Sequence, residues 1–384
     1  MSQYIWVGLD VHIDSITAAI LEDDSNEPEV IRMSGDLMKV RRLLRRLSDK
    51  APVKACYEAS GAGYVLHRVL TRDGFHCDVI APSLIPRKPG DHRKTDRIDA
   101  VMLVKLYRSG HLTPVHVPTE DHEAIRRLIR LRCSYQEQCK STKLRVYSLL
   151  LAHGLTYREG RSLFTKKHRE WLSKLRRELN GPLQTALNAE LEHLEYLEMQ
   201  RNGLDAQIDL YSQQPPYSKY VDALCCLRGV KTLSAMTLLT EIDDINRFRS
   251  PRALMAYFGL VPTEHSSGDR ERKGPITKAG NSHARRILIE AAWNNQRRAG
   301  ADLILRRRRQ GQPPEIVAIA VKAQHRLSRR FHYLSNKKHL HVAITAVARE
   351  LCGFIWAIMK AAPQHYLWCR HKKREESCDR RILA

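Results

Sequence analysis

Acidic residues are in short supply. The 384-residue chain has 42 Asp and Glu against 65 Lys and Arg, a formal charge of +23. A surplus of that size favours a polyanionic partner, most simply nucleic acid. The basic residues run through the whole chain, which argues against a role at a membrane surface. Long hydrophobic runs are also missing. The longest candidate, Val342 to Met359, is interrupted by Arg349 and Glu350 and falls short of a span of roughly 18 residues. No basic segment leads into an apolar one at the N-terminus, MSQYIWVGLDVH, so a cytoplasmic protein is expected. Paired cysteine motifs are absent as well. The nine cysteines are odd in number and none forms a CxxC, so neither a disulfide framework nor a zinc site is expected. Cys369, His371 and Cys378 in the basic tail are too weak a set to change that. A hydrophobic fraction of 43% excludes disorder, and the length suits about two or three domains.

What is present begins with Lys94-Thr-Asp-Arg-Ile-Asp-Ala100. Asp96 and Asp99 are three apart, which on a helix puts both carboxylates on one face. A Pro, Gly and basic stretch, Pro82 to Arg93, precedes them, and an apolar helical pattern follows from Ala100 to Leu106. Flanked by Lys94 and Arg97, the two acids could hold a divalent metal against a phosphate. They could equally be acids that the macrodipole favours at a helix start.

The N-terminal third offers them partners. Residues 4–10 read as a buried strand ending in Asp10, with hairpin partners at Ser15 to Leu21 and Val30 to Met33. Asp36 to Leu47 has the spacing of an amphipathic helix. Val53 to Tyr57 is another strand and also ends in an acid, Glu58. A helix follows Gly61-Ala-Gly63, and Cys77 to Ile80 is a third core strand. Parallel strands joined to an antiparallel hairpin fit a three-layer α/β domain, where chemistry collects at the carboxyl ends of strands. Asp10, Glu58, Asp96 and Asp99 could therefore converge in one cluster.

From Glu120 the pattern becomes helical and basic. Between Pro182 and Tyr211, leucines recur at threes and fours, as in a coiled coil within or between subunits, or in a plain helical hairpin. Gln213-Gln-Pro-Pro216 marks a boundary. Arg228-Gly-Val-Lys-Thr-Leu-Ser234 resembles the turn of a helix-hairpin-helix, where Arg228 and Gly229 would meet a phosphate, or it is an ordinary helical turn. Pro262 to Asn281 is polar, Gly-rich and basic, and reads as a long loop. It carries Ser266-Ser-Gly268, with Arg270, Arg272, Lys273 and Lys278 available to neutralise a phosphate, and is otherwise a surface loop. Arg306 to Arg309 is a charge run, and helices are expected at Ala284 to Trp293, Val317 to Leu327 and Val342 to Met359. His12 and His265 are possible proton carriers.

The set Gly8-Leu-Asp-Val-His12, Tyr57-Glu-Ala-Ser-Gly61, Lys94 to Ala100, Arg228-Gly-Val, Tyr257-Phe-Gly-Leu-Val-Pro262, Ser266-Ser-Gly268, Gly274 to Asn281 and Ala348-Arg-Glu-Leu351, in this order, resembles the DEDD transposases of the insertion sequence 110 family. The resemblance covers nearly the whole chain. It implies a RuvC-like, RNase H-type domain over residues 1–118 and a helical coiled-coil linker over 119–214. It further implies a mainly α transposase domain with a serine nucleophile over 215–362, then a basic tail, 363–384. Asp10, Glu58, Asp96 and Asp99 would bind Mg²⁺, with Mn²⁺ as a substitute. The family's serine precedes a glycine, pointing to Ser267 with Ser266 as second choice. The implied partners are DNA, a structured guide (bridge) RNA encoded by the element, and further copies of the chain in a dimer or tetramer. The implied protein is nucleoid-associated when acting. A RuvC-like Holliday-junction nuclease without a covalent intermediate, and a non-catalytic nucleic-acid-binding protein, are the competing expectations.

Overall fold

The computed structural model describes residues 4–59, 61, 63–86, 95–264, 272–300 and 302–362, and the chain divides into two compact units, Met1–Pro118 and Thr119–Ala384. In the first unit β1 (Ile5–Val11), β2 (Ser15–Glu22) and β3 (Glu29–Ser34) form an antiparallel meander. α1 (Leu37–Ser48) follows, its start fixed by Asp36, whose carboxylate accepts the N–H of Met38. β4 (Val53–Glu58) then pairs parallel to β1, α2 (Val65–Arg72) crosses over, and β5 (His76–Ile80) pairs parallel to β4. The sheet order is β3-β2-β1-β4-β5. α3 (Asp96–Arg108) closes the unit.

Strand periodicity sorts the side chains into two layers. Val7, Leu9, Ile16, Ala18, Ala55, Tyr57 and Val79 face one way and pack with Val40, Leu44, Leu66 and Leu70 of α1 and α2. Trp6, Ala19, Leu21, Cys56 and Ile80 face the other way and meet Ala100, Leu103 and Val104 of α3. The unit is thus a mixed sheet between two helical layers.

The second unit is mostly helical. α4 (Glu120–Ala152), α5 (Lys166–Glu178) and α6 (Gly181–Ser212) come first. Arg132 pairs with Asp205, Lys143 with Glu198 and Arg145 with Glu190, so α4 and α6 run antiparallel as a hairpin within one chain. Val146, Leu150, Leu172, Leu175, Leu187 and Leu191 form a small core at its far end.

The main core is built from α7 (Ser218–Cys225), α8 (Thr232–Ile242), α9 (Pro251–Tyr257), α10 (Ser282–Ala292), α11 (Leu303–Arg309), α12 (Pro314–Ser335) and α13 (Leu340–Ala361). Ile129 of α4 and Ile208 of α6 join it. α13 is long and apolar enough to cross a membrane, despite the interruption read at Arg349 and Glu350, and half of its apolar stretch is buried against the neighbouring helices. Glu350 is paired with Arg326 and Arg330 of α12 at 2.9 and 3.1 Å. The expected loop from Pro262 to Asn281 instead contains two paired strands, β6 (Pro262–Glu264) and β7 (Lys273–Ile276).

Candidate active site

The acids of the first unit gather on the α3 side of the sheet, at the carboxyl end of β1. Asp10 extends the row of Trp6 and Gly8 along β1. It is in register with Thr17 of β2, which is in register with Arg32 of β3. Glu58 ends β4, two residues beyond Cys56 and therefore on the same face. Thr95 starts α3 by accepting the Ile98 N–H at 3.3 Å, which puts Asp96 and Asp99 in the first turn, where the dipole favours negative charge. α3 lies directly on β1 at Gly8. A Cβ there would stand 2.7 Å from both the Ala100 carbonyl oxygen and the Val104 nitrogen.

The resulting geometry is close. His12 Nε2 is 3.4 Å from Asp10 Oδ2 and 3.8 Å from Asp96 Oδ1, and one ligand atom from each of the three residues lies within 4.8 Å of the others. Arg32 approaches Asp96 at 4.0 Å. Asp10 Oδ2 is removed from solvent and finds no hydrogen-bond partner among the described residues. Burial pushes the Asp10 carboxyl above its ordinary value, His12 opposes this, and the charges of Asp96 and Asp99 push it further up. A buried, unbonded carboxylate oxygen beside two more carboxylates is the environment that a bound cation relieves. Oxygen donors of this kind suit a hard divalent ion. Glu58 is half-buried on the same face, one strand over, and is not part of the 4.8 Å group.

The other expected residues are in different settings. Lys94, His265, Ser266, Ser267 and Arg270 lie outside the described residues. Arg97 is exposed on the first turn of α3. Arg272 and Lys273 are exposed at the start of β7. Lys278 is exposed with φ at 54°, its N–H bonded to the Gly259 carbonyl. Arg228 points inward. Its guanidinium donates to the Arg297 and Arg298 carbonyls at 2.9 and 3.3 Å and lies 3.9 Å from Asp302. Gly229, at φ 85°, presses against Ala291, so the α7–α8 turn is spent on packing rather than held open for a phosphate.

Three residues that hold the two units in shape escaped sequence reasoning. Arg32 emerges only once the strand register is known, which aligns it with Asp10 through Thr17. Gly8 was visible only as part of a motif. Glu241 is buried and receives Arg130 Nε and Nη2 at 2.8 Å each and Asn281 Nδ2 at 2.6 Å. Burial raises its proton affinity, but the bonds and charge of Arg130, with Asn281 and Arg126, outweigh this and hold the carboxyl below its ordinary value. Asn281 also caps α10 by accepting the Ala284 N–H at 3.0 Å. Glu241 therefore ties α4 to the chain leaving β7.

Comparison with known proteins agrees on one family. Residues 7–154 match a family model described as transposase, the DEDD type of IS110, and residues 221–305 match the model described as transposase of the IS116/IS110/IS902 family. The transposase y4qE of Sinorhizobium fredii is 38% identical over 367 residues, covering 94% of this chain and 89% of that protein. The transposase for insertion sequence element IS1533 of Leptospira borgpetersenii is 30% identical over 344 residues, covering 88% of this chain and 99% of that one.

Proposed function

The chain belongs to the IS116/IS110/IS902 family of transposases, and from that membership we propose that it excises and inserts its own insertion sequence through two half-sites, one on each unit. As a transposase it acts on DNA. The observation that carries the first half-site is the buried, unbonded Oδ2 of Asp10 facing Asp96 and Asp99 at the carboxyl end of β1. The β3-β2-β1-β4-β5 order with helices on both faces supports reading this unit as RNase H-like, of the RuvC type.

Asp10, Glu58, Asp96 and Asp99 would hold Mg²⁺, or Mn²⁺ in its place. The ion would stabilise charge developing on the scissile phosphate. The chain's own groups do the rest. Arg32 and Arg97 offer positive charge beside the acids, and His12 can carry a proton on Nε2. In the second half-site Ser267, or Ser266, attacks phosphorus. A serine–phosphate bond forms, the phosphodiester P–O bond breaks, and the leaving oxygen takes a proton. The ester keeps the energy of the broken bond, so a second strand's hydroxyl can reverse the step and join new ends. Arg270, Arg272, Lys273 and Lys278 would neutralise the phosphate.

Guidance by a structured RNA encoded by the element is part of the reading. Base pairing would select sequence while the protein holds backbone and helical shape. The dispersed excess of +23 supports it. Assembly as a dimer or tetramer would bring the two half-sites together.

Asp10→Asn and Asp96→Ala should each abolish strand cleavage while leaving DNA binding in place, and chelation of divalent cations should do the same until Mg²⁺ is restored. Ser267→Ala separates this reading from a nuclease that uses water. If that variant exchanges strands fully, and no covalent protein–DNA adduct can be trapped from the parent, the serine mechanism is wrong. Guidance fails if DNA binding is indifferent to RNA from the element's end.

A further inference from the structure

The turn between β1 and β2 holds an apolar side chain out into solvent beside the acids. Val11 pairs with Ile16, and the His12 N–H donates to the Ser15 carbonyl at 2.9 Å. Ile13 and Asp14 are therefore the two residues of the turn. Such positions favour Gly, Asn and Asp, and Asp14 conforms. Ile13 does not. It is 91% exposed, more than any other large hydrophobic residue among those described. The turn beneath it is held firmly by the end of β3. Gly35 donates its N–H to the Asp14 carbonyl at 2.9 Å. It also lies so close to Ile13 that a Cβ on Gly35 would stand 1.9 Å from the Ile13 carbonyl oxygen. The β-branched side chain adds its own stiffness at χ1.

Single exposed apolar residues are common and need no explanation by themselves. The place of this one is what matters. Its Cα is about 3.8 Å from that of His12, whose ring reaches Asp10 and Asp96 at 3.4 and 3.8 Å. Arg32 on β3 and Arg97 on α3 are exposed and flank the acids. The tip of the turn carries no cation. Asp14 is exposed without an ion pair among the described residues, and Asp36, next after Gly35, is exposed as well. A phosphate is thus favoured at the arginines and repelled at the tip. What Ile13 can meet on a strand passing the acids is the face of a base. A protein partner fits less well, because a stable interface takes roughly 800 Å² from each side. The exposed apolar side chains here, Ile13, Ile98 at 39% and Met38 at 45%, stand singly on three elements among charged neighbours.

We propose that Ile13 is a wedge that enters the DNA at a base step beside the scissile phosphate and unstacks it. Apolar side chains placed between base steps part and kink a duplex in this way. A rigid turn suits the task, since little freedom is lost when the side chain goes in. Ile13 takes no part in the bond change. It presents the strand, and the acids and arginines meet the phosphate. The inference rests on the proposed cleavage site, because the acids place the strand. It is read by base stacking, so its failure is distinguishable from failure of the cleavage chemistry.

The test uses the full chain, RNA transcribed from the element's end, and a DNA duplex spanning that end and its flank. 2-Aminopurine, which fluoresces when unstacked, replaces one base at a time. Asp10→Asn serves as the bound, uncut form, and fluorescence should rise at one step or two adjacent ones. Adding Ile13→Ser should abolish that rise while the DNA stays bound, and adding Ile13→Leu should keep it. With Asp10 intact, Ile13→Ser should cut the paired duplex about tenfold or more slowly than the parent. It should cut a duplex mismatched at the responsive step as fast as the parent does, because that step is already open. The proposal is overturned if no position responds, or if Ile13→Ser leaves the rise in place. Equal loss of cleavage on paired and mismatched DNA also overturns it, by making the defect a general one. So does a change in oligomeric state alone, which would make Ile13 a contact between copies. If the parent cuts neither duplex, the cleavage reading fails, and the fluorescence comparison still decides the wedge.

Discussion

Gly8 has no charge, yet it sets the distance between the acids. Asp10 comes from a strand and Asp96 and Asp99 from a helix some 90 residues later. The two meet because α3 rests on bare backbone at Gly8, where the Ala100 carbonyl and the Val104 nitrogen would each be 2.7 Å from any Cβ. Gly8→Ala should therefore lift α3 from β1 at a cost of about 1–3 kcal/mol, the usual penalty of overpacking. The signature is a lowered melting temperature together with cleavage reduced at least about tenfold, because the acids proposed to bind metal are spread apart. Gly203→Ala, on α6 with open space around it, should instead raise stability by about 0.5–1 kcal/mol and leave cleavage intact. Equal loss of cleavage in both variants would sink the argument. The acids themselves were legible because strands that end in carboxylates stand out against apolar runs. Gly8 and Arg32 were not, because close approach and cross-strand register are properties of pairs of elements.

At the scale of elements, helices declared themselves through apolar spacing, and α1, α3, α4 and α6 fall near the expected bounds. The β6–β7 pair did not. Its second strand is Lys-Gly-Pro-Ile, and both Gly and Pro read as strand breakers when no partner strand is known. What fixes this hairpin is also remote. Thr277, Lys278 and Asn281 donate to the carbonyls of Val261, Gly259 and Tyr257, and Asn281 then reaches Glu241. Glu241→Ala should destabilise the second unit by about 3 kcal/mol, the low end for a broken buried pair because Arg130 can still reach water. The same group makes stability depend on pH. Its folded carboxyl lies below the ordinary value of 4.5, so its contribution is complete above that value and is lost as pH falls through the lower folded one. Denaturant unfolding of the parent should thus show a loss below about pH 4.5 that Glu241→Gln lacks. Parallel pH profiles for the two proteins would refute this account.

At the scale of the whole molecule, the proposed chemistry is divided. The carboxylates belong to the unit Met1–Pro118 and the serine segment to the unit Thr119–Ala384. A division of this kind permits a site assembled within one chain or between two. Mixing two inactive variants distinguishes them. In a dimer that pairs Asp96→Ala with Ser267→Ala, sites assembled within a chain are all dead, since each lacks either an acid or the serine. Sites assembled between chains differ. One combines the intact acids of the serine variant with the intact serine of the other, and the second lacks both. If subunits exchange freely, about half of the dimers are mixed and roughly a quarter of all sites regain activity. Strand exchange near that level in the mixture, with none in either variant alone, is the outcome expected for a composite site. Complete inactivity of a mixture in which mixed dimers have been isolated would place acids and serine of each site on the same chain.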